Sequence, residues 1–377
     1  MQWYPLRLTV TARPLVFGGH ALHRVLGKRG LPDWAVAETW EVSDVDGYPA
    51  TVTGGPLAGR SLRQLVAEYP EELMGPGWRG DRFPILAKFI DASGTLPVHL
   101  HADDETAREL EGQPNGKTEA WHILSAAPGA TIWCGVRPGV SPGQLREALV
   151  RQDFAAVLRQ LPVRAGQTCY VPGGTLHRFG PETVVYEIQQ TSDIVQHAMR
   201  WDMTDGSPVP DDQWQANLDM VIREVRLEHQ PVPTEGLRMP AGDGVERVFC
   251  CAGPYFALER WSAGTMAPVR LGFRAARIVS NVGAPVELTA AGHTETLGRA
   301  ETVLLPAALG EAEITGPADV LVGYLPDLQR DVAAPLTAAG YGPQLIAGLG
   351  EVRPAGRDGR PAGREGRGAA GTAGATG

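Results

Sequence analysis

Short apolar runs separated by glycine and proline set the pattern of this chain. FPILAKFI (83–90), AWHIL (120–124), TVVYEI (183–188), YFALERW (255–261), ARIVSNV (276–282) and TVLLP (302–306) all stand between turn-forming residues. Such runs, bounded by Gly or Pro, predict strands, and a chain built from many of them predicts β-sandwiches or barrels. The regular helices that a parallel α/β sheet needs between its strands are missing. Two covering helices are legible. In RSLRQLVAEYPEELMG (60–75), Leu62, Leu65, Val66 and Tyr69 recur at helical spacing behind Ser61 as N-cap. In SPGQLREALVRQDFAAVLRQL (141–161), Ser141 can cap and Pro142 takes the first helical position. Leu145, Leu149, Phe154, Val157, Leu158 and Leu161 form its apolar side.

Composition shifts divide the chain. A first β-domain with helical insertions is expected over 1–205. A crossing segment over 206–244, rich in Pro, Asp and Gly, carries one predicted strand, DMVIREVRLEH (219–229). A smaller second β-domain is expected over 245–328, with an extension over 329–352. The tail 353–377 has almost no large apolar residue, cannot offset the entropy of ordering, and is expected to be disordered.

The 377 residues are 43% hydrophobic and 20% charged, ordinary for a globular chain with sizeable cores. There is no apolar run of about eighteen residues that would span a membrane, and no apolar core resembling a secretory signal in the first fourteen residues. The net charge of −9 argues against a nucleic-acid surface. The four cysteines form no CxxC pair, so neither a disulfide framework nor a zinc knuckle is indicated, and a cytoplasmic setting is expected. Lysine occurs only at Lys28, Lys88 and Lys117. Against so many arginines, a surviving lysine marks a place that suits a compact ammonium.

Two spacings carry chemistry. In GTLPVHLHADDE (94–105), His99 and His101 fall on one face of a strand, about 6–7 Å apart, and can converge on one metal ion. In GQTCYVPGGTLH (166–177), Pro172 and the glycines turn the chain so that His177 returns toward the interior. Together they match the two-part pattern of metal-binding cupins, although Pro181 stands where that pattern often has Asn. The expected fold is mainly β: two cupin-like jelly-roll β-barrels with a few covering helices. The generic cupin spacing selects Glu105 as the carboxylate ligand.

A third stretch, Gly116-Lys117-Thr118-Glu119-Ala120-Trp121, gives the sequence a specific resemblance. With PLVFGG (14–19), AETWEVS (37–43), GGPLAG (54–59), FPILAKFIDA (83–92) and EIQQTSD (187–193), it resembles the class I mannose-6-phosphate isomerases in their short bacterial form. The resemblance covers most of residues 10–205, and the second β-domain resembles the family more loosely. It implies one Zn2+ per chain, held at the positions of His99, His101, Glu119 and His177, with His99 in place of a family Gln. On this resemblance the carboxylate ligand is Glu119, and Glu105 lies just outside. His122, on the other strand face, is expected to be a hydrogen-bonded histidine outside the site. The implied reaction is aldose–ketose isomerisation of a sugar phosphate through an enediol, with Lys117 binding phosphate or aiding proton transfer and Glu187 as candidate base. No nucleic-acid or membrane partner is expected. One departure stands out: His197 occupies the place of an arginine that meets the substrate, and Arg200 is three residues further along. This leaves open a non-phosphorylated sugar, another sugar phosphate, or a non-catalytic zinc cupin that binds a sugar in carbohydrate regulation. A His3Glu set also suits an iron-dependent oxygenase, which the family-like segment from Phe17 to Ser43 disfavours.

Overall fold

The computed structural model describes residues 2–242, 244–264 and 268–352; the tail expected to be disordered lies outside them. Each apolar run forms a strand, and the chain is mainly β. Six antiparallel strands make the first large sheet, in the order Thr11–Arg13, Glu38–Val42, Ile85–Ala92, Thr183–Gln190, Glu119–Ala126 and Thr168–Val171. A five-stranded sheet faces it, ordered Gln196–His197, His99–Leu100, His177–Arg178, Thr131–Val136 and Leu158–Pro162. Phe17, Ile90, Trp121, Ile123, Ile132, Phe179 and Val185 form part of the buried cluster between the two sheets. A second pair, of six and four strands, repeats the arrangement over Leu237–Tyr324, around Phe249, Val279, Leu288, Ile314 and Val320. Two such pairs match the expected two-barrel, mainly β architecture.

The two six-stranded sheets pack against each other. Ala87, Phe89, Tyr186 and Ile188 of one share a buried cluster with Cys250, Phe256, Leu258, Ile278 and Leu321 of the other. The strands Ile85–Ala92 and Thr183–Gln190 are therefore buried at every position. Strands covered on both faces read as near-continuous apolar runs. Here Lys88 and Glu187 break those runs, on the face turned to the interior.

The helices depart from expectation in three places. The stretch 60–75 forms two helices, Leu62–Glu68 and Pro70–Met74. Ser61 caps the first as expected, but Pro70 lacks an N–H and pushes Tyr69 out of the helical region (φ −132°, ψ 54°). The predicted helix over 141–161 ends at Val150. Asp153 caps a separate turn, Phe154–Val157, and Leu158–Pro162 is a strand. The predicted strand over 219–229 is largely helix instead: Asp211–Glu224 buries Trp214, Leu218 and Val221, spaced four and three residues apart. The β-branched Val221 and Ile222 suggested a strand, but the apolar spacing upstream decides. Leu145 and Leu149 of the helix Pro142–Val150 join this face in one cluster, which covers Leu100, Val136 and Leu176 on the outer face of the five-stranded sheet. No helix among the described residues is long and apolar enough to cross a membrane.

Glu224 ends that helix fully buried, and neither carboxyl oxygen has a hydrogen-bond partner among the described residues. Burial first, and Glu111 beside it second, push its carboxyl up from 4.5 to about 8. The folded state thus holds a proton that the unfolded chain releases. This contribution to stability is complete below pH 4.5 and is lost as pH rises through about 8. Glu224→Gln is expected to raise stability at pH 8 by on the order of 1–3 kcal/mol and to flatten its pH dependence. Denaturant melts at pH 5 and pH 8 check this; an equal effect at both would contradict it.

Candidate active site

The strand His99–Leu100 and the strand His177–Arg178 are direct partners, with His99 opposite His177. His101 follows at the strand end and turns its ring to the same centre, 4.9 Å from the His99 ring. Two glycines allow this loop to close. A Cβ on Gly116 or Gly173 would lie 2.4 or 2.7 Å from the Ala102 carbonyl oxygen. Gly174 then donates its N–H to the His101 carbonyl (2.6 Å). The GKTE and VPGG motifs therefore act partly as backbone clearances around the loop that follows the HxH pair.

Each of the three rings is anchored by a backbone carbonyl. His99 Nδ1 donates to Pro97 O (2.7 Å), His101 Nδ1 to Ile194 O (2.6 Å) and His177 Nδ1 to Thr175 O (2.8 Å). A carbonyl can only accept, so the proton of each neutral ring sits on Nδ1 and the Nε2 lone pair faces inward. His177 Nε2 and His99 Nε2 are 3.0 Å apart. Glu119 Oε1 lies 3.2 Å from His177 Nε2, and Oε2 lies 3.2 Å from His101 Nε2. These are acceptors turned toward acceptors. Burial, with His177 and His101 nearby, holds His99 well below its ordinary 6.5; burial and then Lys117 bring His101 to about 3. His99 and His101 therefore stay neutral, and a cation between the three rings resolves the arrangement. The three histidines offer ligand atoms within 4.8 Å of one another. Carbonyl-oriented imidazoles with a neighbouring carboxylate suit a divalent metal.

Glu119 begins its strand and is 1% exposed. The Trp121 indole donates to its Oε1 (2.8 Å) and orients it. Burial would raise its carboxyl, but the neighbouring Lys117 ammonium outweighs that and holds it well below 4.5. Glu105, by contrast, is exposed on the helix Asp104–Leu110. Lys117 lies in the loop before the strand, yet its ammonium donates to His101 Nε2 (2.9 Å) and stands 3.3 Å from Glu119 Oε2. His122 faces away and bonds to Thr168 Oγ1 (2.9 Å), as expected of a histidine outside the site.

Glu187 shares the cavity with His99, His101, Lys117 and Glu119. It contacts Lys88 Nζ at 3.0 Å, and Glu38 lies 3.5 Å from the same ammonium. Burial first, then Glu119, raise the Glu187 carboxyl above 4.5 against the pull of Lys88. All three lysines of the chain are buried, each against a glutamate: Lys28 with Glu41, Lys88 with Glu187, Lys117 with Glu119. His197 pairs across from His99 but does not line the cavity, and its Nδ1 is buried without a partner among the described residues. Arg200 turns outward to Asp211 and the Trp214 ring. Sequence reasoning quoted Lys88, Glu38, Trp40 and Asp193 without assigning them to the site, and passed over Arg13; all line this cavity. A charged residue inside an apolar run, as in FPILAKFI, was the available signal for Lys88.

Two stacked β-sheet pairs, with a three-histidine group that could hold a metal ion between the sheets of the first, define a protein of the double-cupin class. No protein-family model matches the sequence. Similarity to individual proteins is extensive. The chain is 30% identical over 260 residues to a mannose-6-phosphate isomerase of Streptococcus mutans, covering 68% of this chain and 78% of that one. It is 28% identical over 334 residues to the probable mannose-6-phosphate isomerase GmuF of Bacillus subtilis, covering 85% and 99%. The crystal structure of mannose 6-phosphate isomerase from Bacillus subtilis superimposes with a TM-score of 0.76 at 27% identity, covering 85% of this chain and all of that one. The chain belongs to the mannose-6-phosphate isomerase family.

His101→Ala and His177→Ala are expected to weaken metal retention by more than the ten- to hundredfold typical of removing an outer hydrogen-bond partner. Glu119→Ala should weaken it too, while Glu105→Ala and His122→Ala should leave it intact. Metal content of purified variants after dialysis reads this directly. Loss in Glu105→Ala with retention in Glu119→Ala would reverse the assignment of the carboxylate.

Proposed function

We propose that the protein is a zinc-dependent isomerase that interconverts mannose 6-phosphate and fructose 6-phosphate through an enediol. The observation that carries this is the set of three inward-facing imidazoles with Glu119, of which His99, His101 and Glu119 share one cavity with Lys117 and Glu187. Three nitrogen donors and a carboxylate suit zinc, which has no redox chemistry to compete with proton transfer. His99, His101, His177 and Glu119 would hold the ion, which when bound would supply a Lewis acid for negative charge developing on substrate oxygen.

The chain's own residues do the rest. Aldose–ketose conversion takes a proton from C2 and returns one to C1. Glu187 is the base, and its raised carboxyl brings it nearer the working pH, where proton transfer is most effective. Lys88 balances the charge that Glu187 carries when ionised. Lys117 donates a hydrogen bond to a substrate oxygen as charge builds there. The Glu119 side chain, fixed by the Trp121 indole, keeps the Lys117 ammonium close to the donor set.

The purified protein should convert mannose 6-phosphate to fructose 6-phosphate, lose that activity on chelation, and recover it with Zn2+. Glu187→Gln should cost about 10²–10⁴ in kcat. The base works ionised, so kcat/KM should fall as pH drops through a midpoint above 4.5. A coupled assay across pH checks both. Zinc-loaded protein that turns over neither mannose 6-phosphate nor any other sugar phosphate would favour sugar binding without catalysis. A rate independent of pH down to 4.5 would remove Glu187 as the base.

A further inference from the structure

We propose that Arg13 recognises the anionic end of the substrate, a phosphoester on the carbon farthest from the reacting pair. The proposal rests on the isomerase reading above and adds a residue that the sequence did not single out.

The cavity holds three cations, and two are engaged. Lys88 lies between Glu38 and Glu187, and Lys117 lies between His101 and Glu119. Arg13 has no ion pair among the described residues, and its Nη1 is buried without a hydrogen-bond partner there. A guanidinium N–H withdrawn from water and left unmatched is unfavourable until an acceptor meets it.

Its position is fixed by aromatic rings rather than by a carboxylate. The guanidinium carbon lies 5.0 Å from the Trp40 ring centroid and 4.9 Å from that of Tyr48. Trp40, which lines the cavity, is 1% exposed and Tyr48 43%, so the group is held between a buried ring and an exposed one. Both rings attract the cation and leave its planar edge free for an incoming oxyanion. That fork matches two phosphate oxygens in a way an ammonium cannot. A group already held in place loses little entropy on binding.

Strand register sets the distance. Arg13 pairs with Glu38, Trp40 with Lys88, Lys88 with Glu187, and Glu187 with Trp121. Charged and aromatic side chains thus form a row across one sheet face, with Arg13 on the edge strand and Glu119 four strands away. The guanidinium reaches over Trp40 of the next strand, and the base Glu187 stands two strands beyond Trp40, about 10 Å away across the sheet, the order of length of an extended six-carbon sugar phosphate. A slot with the reacting groups at one end and a free guanidinium at the other fits a linear sugar whose anion and carbonyl are at opposite ends. His197, on the facing sheet, does not line the slot.

The test compares wild type with Arg13→Gln, which keeps much of the stem against the rings, and with Arg13→Lys, which keeps the charge but not the fork. KM for mannose 6-phosphate should rise about ten- to a hundredfold in Arg13→Gln with kcat little changed, and Arg13→Lys should recover part of it. Turnover of free mannose should be the same in all three. Equal losses on the free and phosphorylated sugars would show a merely structural role and overturn the proposal, as would an unchanged KM. Calorimetric binding of inorganic phosphate separates the two levels of inference. If wild type turns over no sugar phosphate but binds phosphate, and Arg13→Gln does not, the isomerase reading fails and the anion site stands. Equal phosphate binding in both proteins, or none in either, sinks the anion site whatever the activity.

Discussion

Three imidazole lone pairs, aimed at one point by three backbone carbonyls, are the constraint on which the rest of the structure turns. Lone pairs on nitrogens 3.0 Å apart repel unless something positive stands between them. The protein does not relieve this by reorienting the rings, because each Nδ1–H is already committed to a carbonyl. Nor does protonation relieve it at His99 or His101, where burial opposes the charged form. The geometry is preorganised for a cation, and its cost must be met elsewhere in the fold.

The surrounding architecture supplies that support. The six-stranded sheet carrying Glu119 and Glu187 is buried on both faces, one against the second sheet pair and one around the cavity. Charges on the inner face are held by repeated devices. Trp40 donates to Glu38 and Trp121 to Glu119, each two residues along the same strand. The same spacing recurs in the second unit, where Trp261 donates to Glu259. There the carboxylate is taken up by Arg247 at 2.6 Å, and the unit has no three-histidine group among the described residues. One folding solution for burying a carboxylate thus serves a reactive centre in one unit and a satisfied ion pair in the other.

Much of this was legible in the residue order. The strands could be read because covered strands are apolar throughout, and the histidines because HxH and P-x-G-x-x-H place rings at fixed offsets from a turn. The choice between Glu105 and Glu119 could not be made from spacing alone. Glu105 is exposed because the chain enters a helix immediately after His101, capped by Asp103. The strand predicted over 219–229 failed because two β-branched residues outweighed a spacing that begins upstream at Trp214. The long helix over 141–161 fails because Asp153 within the run caps a separate turn and Leu158–Pro162 pairs as a strand. Lys88 showed only as a scarce lysine inside an apolar run and Arg13 gave no local signal, because the roles of both come from register across several strands, which no local window contains. His197 was expected near the substrate by position in the chain, but in space it lies beside the cavity rather than in it.

X-ray absorption at the zinc K-edge of the purified protein probes the converging lone pairs most directly. A single zinc with about three nitrogen neighbours and at least one oxygen at about 2.0–2.1 Å, and with imidazole outer-shell scattering, is the predicted result. A spectrum with sulfur neighbours, or with oxygen alone and no imidazole scattering, would contradict it.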